Sequence, residues 1–70
     1  MAMEHVTFTV EGITSENSAT TIHDALIRLN GVENVIVDLG MKRVAVEFDA
    51  ERMHRDTLRG TIEDEGYKVR

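Results

Sequence analysis

Two serines three residues apart, Ser15 and Ser18, are the residues whose type and spacing first suggest chemistry. They stand in residues 12–19, which read Gly-Ile-Thr-Ser-Glu-Asn-Ser-Ala, directly before a segment with helical apolar spacing. A serine hydroxyl accepts well from the free amides of a first helical turn. It becomes a nucleophile only beside a base, and no histidine stands at a recognisable spacing from either serine. Taken alone, these residues therefore predict a capped helix start.

Other side chains that bind metals are scattered along the chain. The three histidines are too far apart in sequence for a recognised metal motif, which predicts ordinary surface or boundary positions for His5, His23 and His54. Four thioethers are candidate contacts for Cu(I), with Met53 expected in the core: Met1, Met3, Met41 and Met53. Four carboxylates offer a weak hard-ion site, although a solvated acidic rim is the favoured interpretation: Glu11, Glu16, Asp64 and Glu65.

Length and composition limit the function classes. Seventy residues allow one domain, which we assign to residues 1–70. The net charge of -5 and the aromatic content of 4% argue against nucleic acid as a partner. The absence of cysteine excludes disulfides, thiolate metal sites and thiol nucleophiles, and it fits a reducing compartment. No apolar run approaches the roughly 18 residues of a membrane span, so we expect a soluble cytoplasmic domain without a membrane segment.

The elements that must position the two serines follow from the periodicity. Alternating apolar residues predict strands over residues 5–10, 32–39, 43–49 and 67–69. Helical spacing predicts one helix that begins near Thr14 or Ser15 and stops at residues 30–31, and another over about 55–65. The order βαββαβ predicts an α+β, ferredoxin-like fold, in which a four-stranded antiparallel sheet carries two helices on one face. The two halves are crude repeats of one strand–helix–strand unit.

Three local patterns add a family resemblance. Residues 12–19, the helix end Leu-Ile-Arg-Leu-Asn-Gly-Val at 26–32, and Glu-Asp-Glu-Gly-Tyr at 63–67 together resemble the heavy-metal-associated domain of copper chaperones and metal-pumping ATPases. That family is typified by Gly-Met-x-Cys-x-x-Cys-Ala at the first of these places. The resemblance extends over residues 5–69. The chain differs from the typical family motif at three positions. Ser15 and Ser18 occupy both cysteine positions, and Ile13 replaces the methionine.

The resemblance implies a soft-metal site whose ligands have changed. Two thiolates hold Cu(I) in the family, because a soft ion prefers sulfur, whereas a hydroxyl is a hard donor that stays protonated near neutral pH. We therefore expect weak or no binding of Cu(I), Zn(II) or Cd(II) at Ser15 and Ser18, no cofactor in this chain, and Cu(I) in a cysteine-containing parent. Engineered replacement and natural loss both explain the serine pair. The resemblance also names the neighbours of the metal loop as Gly12, Ile13, Thr14 and Tyr67.

The identity of Tyr67 bears on the metal, since an aromatic residue after this glycine shields the metal in the bacterial copper chaperones that the chain resembles. It favours copper over zinc, although a core ring with a wet hydroxyl explains it equally well. The resemblance further implies transient docking of residues 12–18 onto a metal-transporting ATPase domain, and a monomer without metal. It leaves open whether the parent is a free-standing chaperone or an excised pump domain.

The predicted fold is compatible with two other function classes. Acylphosphatase-like hydrolysis uses the same fold but needs a phosphate-cradling loop with an arginine, and residues 12–18 contain none, so we predict that the chain is not an enzyme. A regulatory, amino-acid-binding or protein-interaction domain of ferredoxin-like fold without any metal role remains the alternative.

Overall fold

The computed structural model describes residues 2–70, and it contains the six elements in the predicted order. The strands are β1 (Met3–Glu11), β2 (Val32–Asp38), β3 (Arg43–Asp49) and β4 (Lys68–Val69), and the helices are α1 (Glu16–Ile27) and α2 (Arg55–Asp64). All strand pairs are antiparallel, and the order across the sheet is β2-β3-β1-β4. This confirms the predicted ferredoxin-like α+β fold. Met1, one of the four candidate thioether ligands, lies outside the described residues.

The core lies between the two helices and one face of the sheet. Alternate strand residues point into it, and each helix contributes two fully buried residues, spaced one turn apart as the apolar pattern predicts. Its fully buried larger side chains are Val10, Ile13, Ile22, Leu26, Val44, Val46, Phe48, Leu58 and Ile62. The opposite sheet face stays open, and Ile36 is 59% exposed there.

The boundaries differ from the predicted ones mainly at element ends. β1 begins at Met3 because it pairs with β3 back to Asp49, two residues earlier than the alternation suggested. α1 ends at Ile27, and the amide of Leu29 then donates to the carbonyl of Leu26 at 3.0 Å in a closing turn. Leu29 still packs against the core, so its apolar character reflects burial rather than helix. No helix within residues 2–70 has the length and apolar character that membrane crossing requires.

Candidate functional site

The two serines lie on the loop of residues 12–15 and the first turn of α1, at one end of the sheet. Gly12 has φ +93, a backbone conformation that L side chains rarely adopt, and it turns the chain out of β1. Ile13 follows and is completely buried, so it anchors the loop in the core. Thr14 and Ser15 then lie at the surface. The buried side chain of Ile13 thus anchors the loop to the core, while Thr14 and Ser15 are exposed to solvent.

Ser15 is the N-cap of α1. Its backbone is extended, with φ -148 and ψ 167, and its Oγ accepts a hydrogen bond from the amide of Ser18 at 3.3 Å. Of the two predicted cap residues, Thr14 and Ser15, the structure therefore uses Ser15. Glu16 adds a negative charge in the first turn, next to the positive end of the helix dipole.

The structure brings the two serine hydroxyls together. Their Oγ atoms are 3.4 Å apart, with Ser15 exposed and Ser18 half-buried. The x-x spacing places one side chain at the cap and the other one turn later on the same side of the helix. Their role as former metal-ligand positions stays a prediction, but two donor side chains at these positions converge on one exposed point.

Tyr67 lies directly against the loop. A Cβ placed on Gly12 would be 3.4 Å from Cδ1 of the Tyr67 ring, so the ring covers the glycine at van der Waals distance. Tyr67 is half-buried and also packs against the core. The position beside the loop agrees with the neighbour set implied by the resemblance, while the shielding of a metal by this ring stays a prediction.

Lys42 is a loop contact that sequence reasoning missed. Its Nζ donates to the carbonyl of Ile13 at 3.1 Å, and its own carbonyl accepts from the amide of Val10 at 2.9 Å. Lys42 lies in the connection between β2 and β3 and has φ +56. The contact joins residues 29 apart, and no local pattern in the sequence signals it.

An ion pair borders the loop where β1 meets the C-terminal segment. Nε of Arg70 donates to Oε2 of Glu11 at 2.8 Å. This hydrogen bond lowers the pKa of Glu11 and raises the pKa of Arg70. Glu11, one of four carboxylates considered for a hard-ion site, is therefore already partnered by a guanidinium.

The remaining candidate ligands do not gather. Across residues 2–70, no group of three or more His, Cys, Asp or Glu side chains is arranged to hold a metal ion, so the four carboxylates form no such site. His5 contacts Glu47 at 2.8 Å on the open sheet face, and His23 contacts Asp24 at 3.2 Å on α1. His54 is the N-cap residue of α2. Met3 is 38% exposed on β1, and Met41 is exposed after β2. Met53 is buried, as expected.

The sequence of this chain matches one protein-family model and several known proteins. The model of the heavy-metal-associated domain family matches residues 7–68. The copper chaperone CopZ of Staphylococcus haemolyticus is 36% identical over 61 residues, which is 87% of this chain and 90% of that protein. The copper chaperone CopZ of Bacillus subtilis is 34% identical over 67 residues, covering 96% and 97% of the two chains.

Solved structures agree with the sequence relatives. A putative copper-ion-binding protein from Bacillus anthracis superposes with a TM-score of 0.94 at 36% identity, covering 99% of this chain and 97% of its own. Among the sequence relatives, a probable copper-exporting P-type ATPase of Archaeoglobus fulgidus is also 36% identical, over 63 residues. These residues span 90% of this chain but only 8% of the pump. From the loop sequence, the fold and these matches together, the chain belongs to the heavy-metal-associated domain family.

Proposed function

We propose that this chain is a copper chaperone or copper-transport domain whose metal loop binds soft metal ions weakly or not at all. The observation that carries the proposal is the pair of hydroxyls, Ser15 Oγ and Ser18 Oγ, which lie 3.4 Å apart at the two positions to which the motif resemblance assigns the family's thiolates. The relatives matched over nearly their whole length are named copper chaperones, which supports a carrier role rather than an enzymatic one. The cytoplasmic location expected from the sequence is part of this proposal.

The donor set does not suit Cu(I). Serine oxygens are hard donors, and both remain neutral hydroxyls near pH 7, so they supply neither the softness nor the negative charge that two thiolates give a monovalent soft ion. Ser15 is also occupied, because its Oγ accepts the amide of Ser18. The burial of Ile13 beneath the loop and the position of the Tyr67 ring at its side support the proposal that the loop keeps the shape of a metal loop.

A Cu(I) titration against a chromophoric competing chelator tests the metal part. We expect the unaltered chain to leave Cu(I) with the chelator, and the double variant Ser15→Cys with Ser18→Cys to remove it in a one-to-one complex. The single variants are matched controls, since one thiolate provides only half of the linear coordination. Tight one-to-one binding by the unaltered chain would refute the proposal, and so would a folded double variant that fails to compete.

The proposed partner is a soluble domain of a metal-transporting ATPase. This chain matches a segment of the Archaeoglobus copper pump at 36% identity, which supports a pump that carries a domain of the same type. The docking surface proposed is the loop of residues 12–18, whose polar residues Thr14, Ser15 and Glu16 are exposed. Contact of this kind is weak and guided by charge complementarity.

A chemical-shift titration of the labelled chain with the N-terminal domain of a copper ATPase tests docking. We expect shifts in residues 12–18 and at Tyr67 even without metal, because the scaffold of the loop is intact. The substitution Glu16→Lys reverses one exposed charge on that surface and should weaken the shifts, while Asp56→Lys on α2 provides a matched control. If the loop resonances stay unmoved at saturating partner, the docking proposal is wrong and the regulatory alternative gains support.

A further inference from the structure

We propose that the outer edge of β2 is a docking site for an extended peptide segment of another protein, apolar in its middle and basic at both ends. The site is separate from the metal loop, and the proposal is independent of the function proposed above. In this interaction the peptide would add a fifth strand to the sheet, pairing through its main chain with the free edge.

The first observation is topological. β2 lies at one end of the order β2-β3-β1-β4 and has seven residues, whereas the opposite edge strand, β4, has two. An edge strand carries amides and carbonyls that point away from the sheet, and a long edge is a template for another strand. Among the strands of residues 2–70, β2 therefore offers the longer free edge.

The second observation is apolar character on both sides of that edge. Ile36 faces the open side of the sheet and is 59% exposed. Val37, the next residue, points to the helix side, where it lines a shallow groove of about 240 Å³ with Ala19, Thr20 and His23 of α1. A strand laid along β2 would place alternate side chains against Ile36 and into this groove.

The third observation is the charge at the two ends of the edge. Glu33 and Asp38 are both exposed, and about 17 Å of extended strand separates them. Asp24 is a further exposed carboxylate, and its Oδ1 contacts Nδ1 of the groove residue His23 at 3.2 Å. Arg43 faces Asp38 in the register, but it lies on β3, one strand further from the edge. Oδ1 of Asp38 already accepts the amide of Met41 at 3.0 Å, so a basic residue at each end of a partner would complement the two negative charges, in either strand direction, rather than fill an empty hydrogen-bond site.

The same charges disfavour a second copy of this chain as the occupant. The chain carries a formal net charge of -5, so symmetric pairing of two β2 strands would bring two acidic surfaces together. The free edge of β2 is only partly protected against pairing with another strand. A register shift between Val32 and Asn34 interrupts the start of β2, but regular pairing continues from Asn34 to Asp38.

A peptide titration followed by amide chemical shifts tests the proposal on the full chain. The probe is the acetylated and amidated peptide Lys-Thr-Val-Ile-Thr-Lys, whose lysines flank an apolar centre as the proposed partner requires. We expect shifts confined to β2 and to the facing residues of α1, with Ser15–Ser18 and β4 unchanged. The same peptide with glutamate in place of both lysines should bind at least about tenfold more weakly.

Substitutions at the edge sharpen the test. Ile36→Lys should weaken binding about tenfold or more, because it removes the exposed apolar contact and repels the basic peptide. Ile36→Thr keeps a β-branched residue and should give a smaller loss in the same direction, which preserves the test if the lysine variant folds poorly. Thr7→Lys is the matched control, since Thr7 lies exposed on β1 and should leave the affinity unchanged.

Four results would overturn the proposal. They are the absence of shifts in β2 at saturating peptide, equal binding of the glutamate peptide, shifts centred on residues 12–18, and sedimentation of the free chain as a dimer that Ile36→Lys dissociates. The last would make a second copy the occupant of the edge.

Discussion

The two halves of the molecule each contain a strand-to-helix junction, and the two junctions are built in different ways. Residues 12–15 join β1 to α1, and residues 50–54 join β3 to α2. The first junction sends polar side chains to the surface and is capped by Ser15. The second is organised from inside by a carboxylate, and its helix start, His54, makes no side-chain cap hydrogen bond. The first junction therefore exposes its polar groups, whereas the second is held together by a carboxylate that is almost fully buried.

Asp49 organises the second junction. It is only 8% exposed, and its Oδ1 accepts the amides of Glu51 at 2.9 Å and Ala2 at 3.4 Å. Its carbonyl also accepts the amides of Arg52 and Met53 at 3.0 and 2.9 Å. One residue thus ties the start of β1, the end of β3 and the approach to α2 together. At the first junction Ser15 caps only its own helix turn, and the tertiary tie comes instead from Lys42, which bonds Ile13 and Val10.

The largest expected effect comes from Gly31, which lies between α1 and β2 and packs against Arg52 and Met53 of the second junction. Gly31 has φ +100, and a Cβ there would lie 2.9 Å from Cβ of Arg52 and 3.2 Å from Cβ of Met53. Gly31→Ala should therefore cost about 2–4 kcal/mol of unfolding free energy, since it adds a clash to the strained backbone. Gly12→Ala should cost only about 1–2 kcal/mol, because the nearest atom, Cδ1 of Tyr67, is at an ordinary contact distance. Urea unfolding of both variants measures the difference, and equal losses would contradict it.

The next effect is the pH dependence that Asp49 provides. The hydrogen bond from the amide of Glu51 holds the pKa of Asp49 below its ordinary value of 3.8, and the amide of Ala2 adds to this against the opposing effect of burial. A pKa that is lower in the fold stabilises the protein above pH 3.8, and the stabilisation disappears as the pH falls through the folded-state value.

Asp49→Asn should therefore be less stable than the unaltered chain near neutral pH, and the gap should close as the pH falls well below 3.8. Thermal unfolding across this range measures the gap. Glu11, whose pKa is lowered by Arg70, should show its own acid-dependent loss in the variant as in the parent. A gap that persists unchanged in acid would show that the side chain stabilises the junction without its charge.

A smaller effect is expected at the first junction. Ser15→Ala removes the N-cap acceptor for the amide of Ser18 and should cost about 1 kcal/mol. Ser18→Ala is the matched control, because its hydroxyl accepts no amide of the first turn within the described residues, and a change near zero is expected. Urea unfolding distinguishes the two, and a larger loss for Ser18→Ala would contradict the capping assignment.

The smallest effect tests whether α2 can gain a side-chain N-cap of the kind that Ser15 gives α1. His54 has φ -111 and ψ 145, an extended conformation suited to a cap, so His54→Ser should stabilise α2 by about 0.5–1 kcal/mol. His54→Ala serves as the control that removes the ring without adding an acceptor. A thermal midpoint that rises no more for the serine variant than for the alanine variant would show that the hydroxyl makes no cap there.

The sequence predicted the fold well because its signals are local. The alternation of Val44, Val46 and Phe48 and the helical spacing of Ile22 and Leu26 each specify one buried face, and all five side chains are buried. The loop motif likewise placed a cap at the start of α1. Element ends were less predictable, since the start of β1 at Met3 depends on pairing with a strand more than forty residues later.

The candidate site was predictable only where its residues are neighbours in sequence. Ser15 and Ser18 stand one helical turn apart, so their convergence follows from helix geometry. The contact of Lys42 with Ile13 depends on tertiary structure, and so does the central position of Asp49, which sequence alternation alone would place on the open face of β3. Such contacts arise from the way the two halves pack, which no window of local sequence contains.

Lys42 has a consequence for any dithiol form of this protein. A Cu(I) ion held by two thiolates makes a complex with a net negative charge, and the Lys42 ammonium contacts the loop carbonyl of Ile13 at 3.1 Å. In the present chain the same ammonium lies beside a loop whose residues 15 and 18 are uncharged serines. The hairpin turn therefore places a positive charge at this end of the sheet, in direct contact with the backbone of the serine loop.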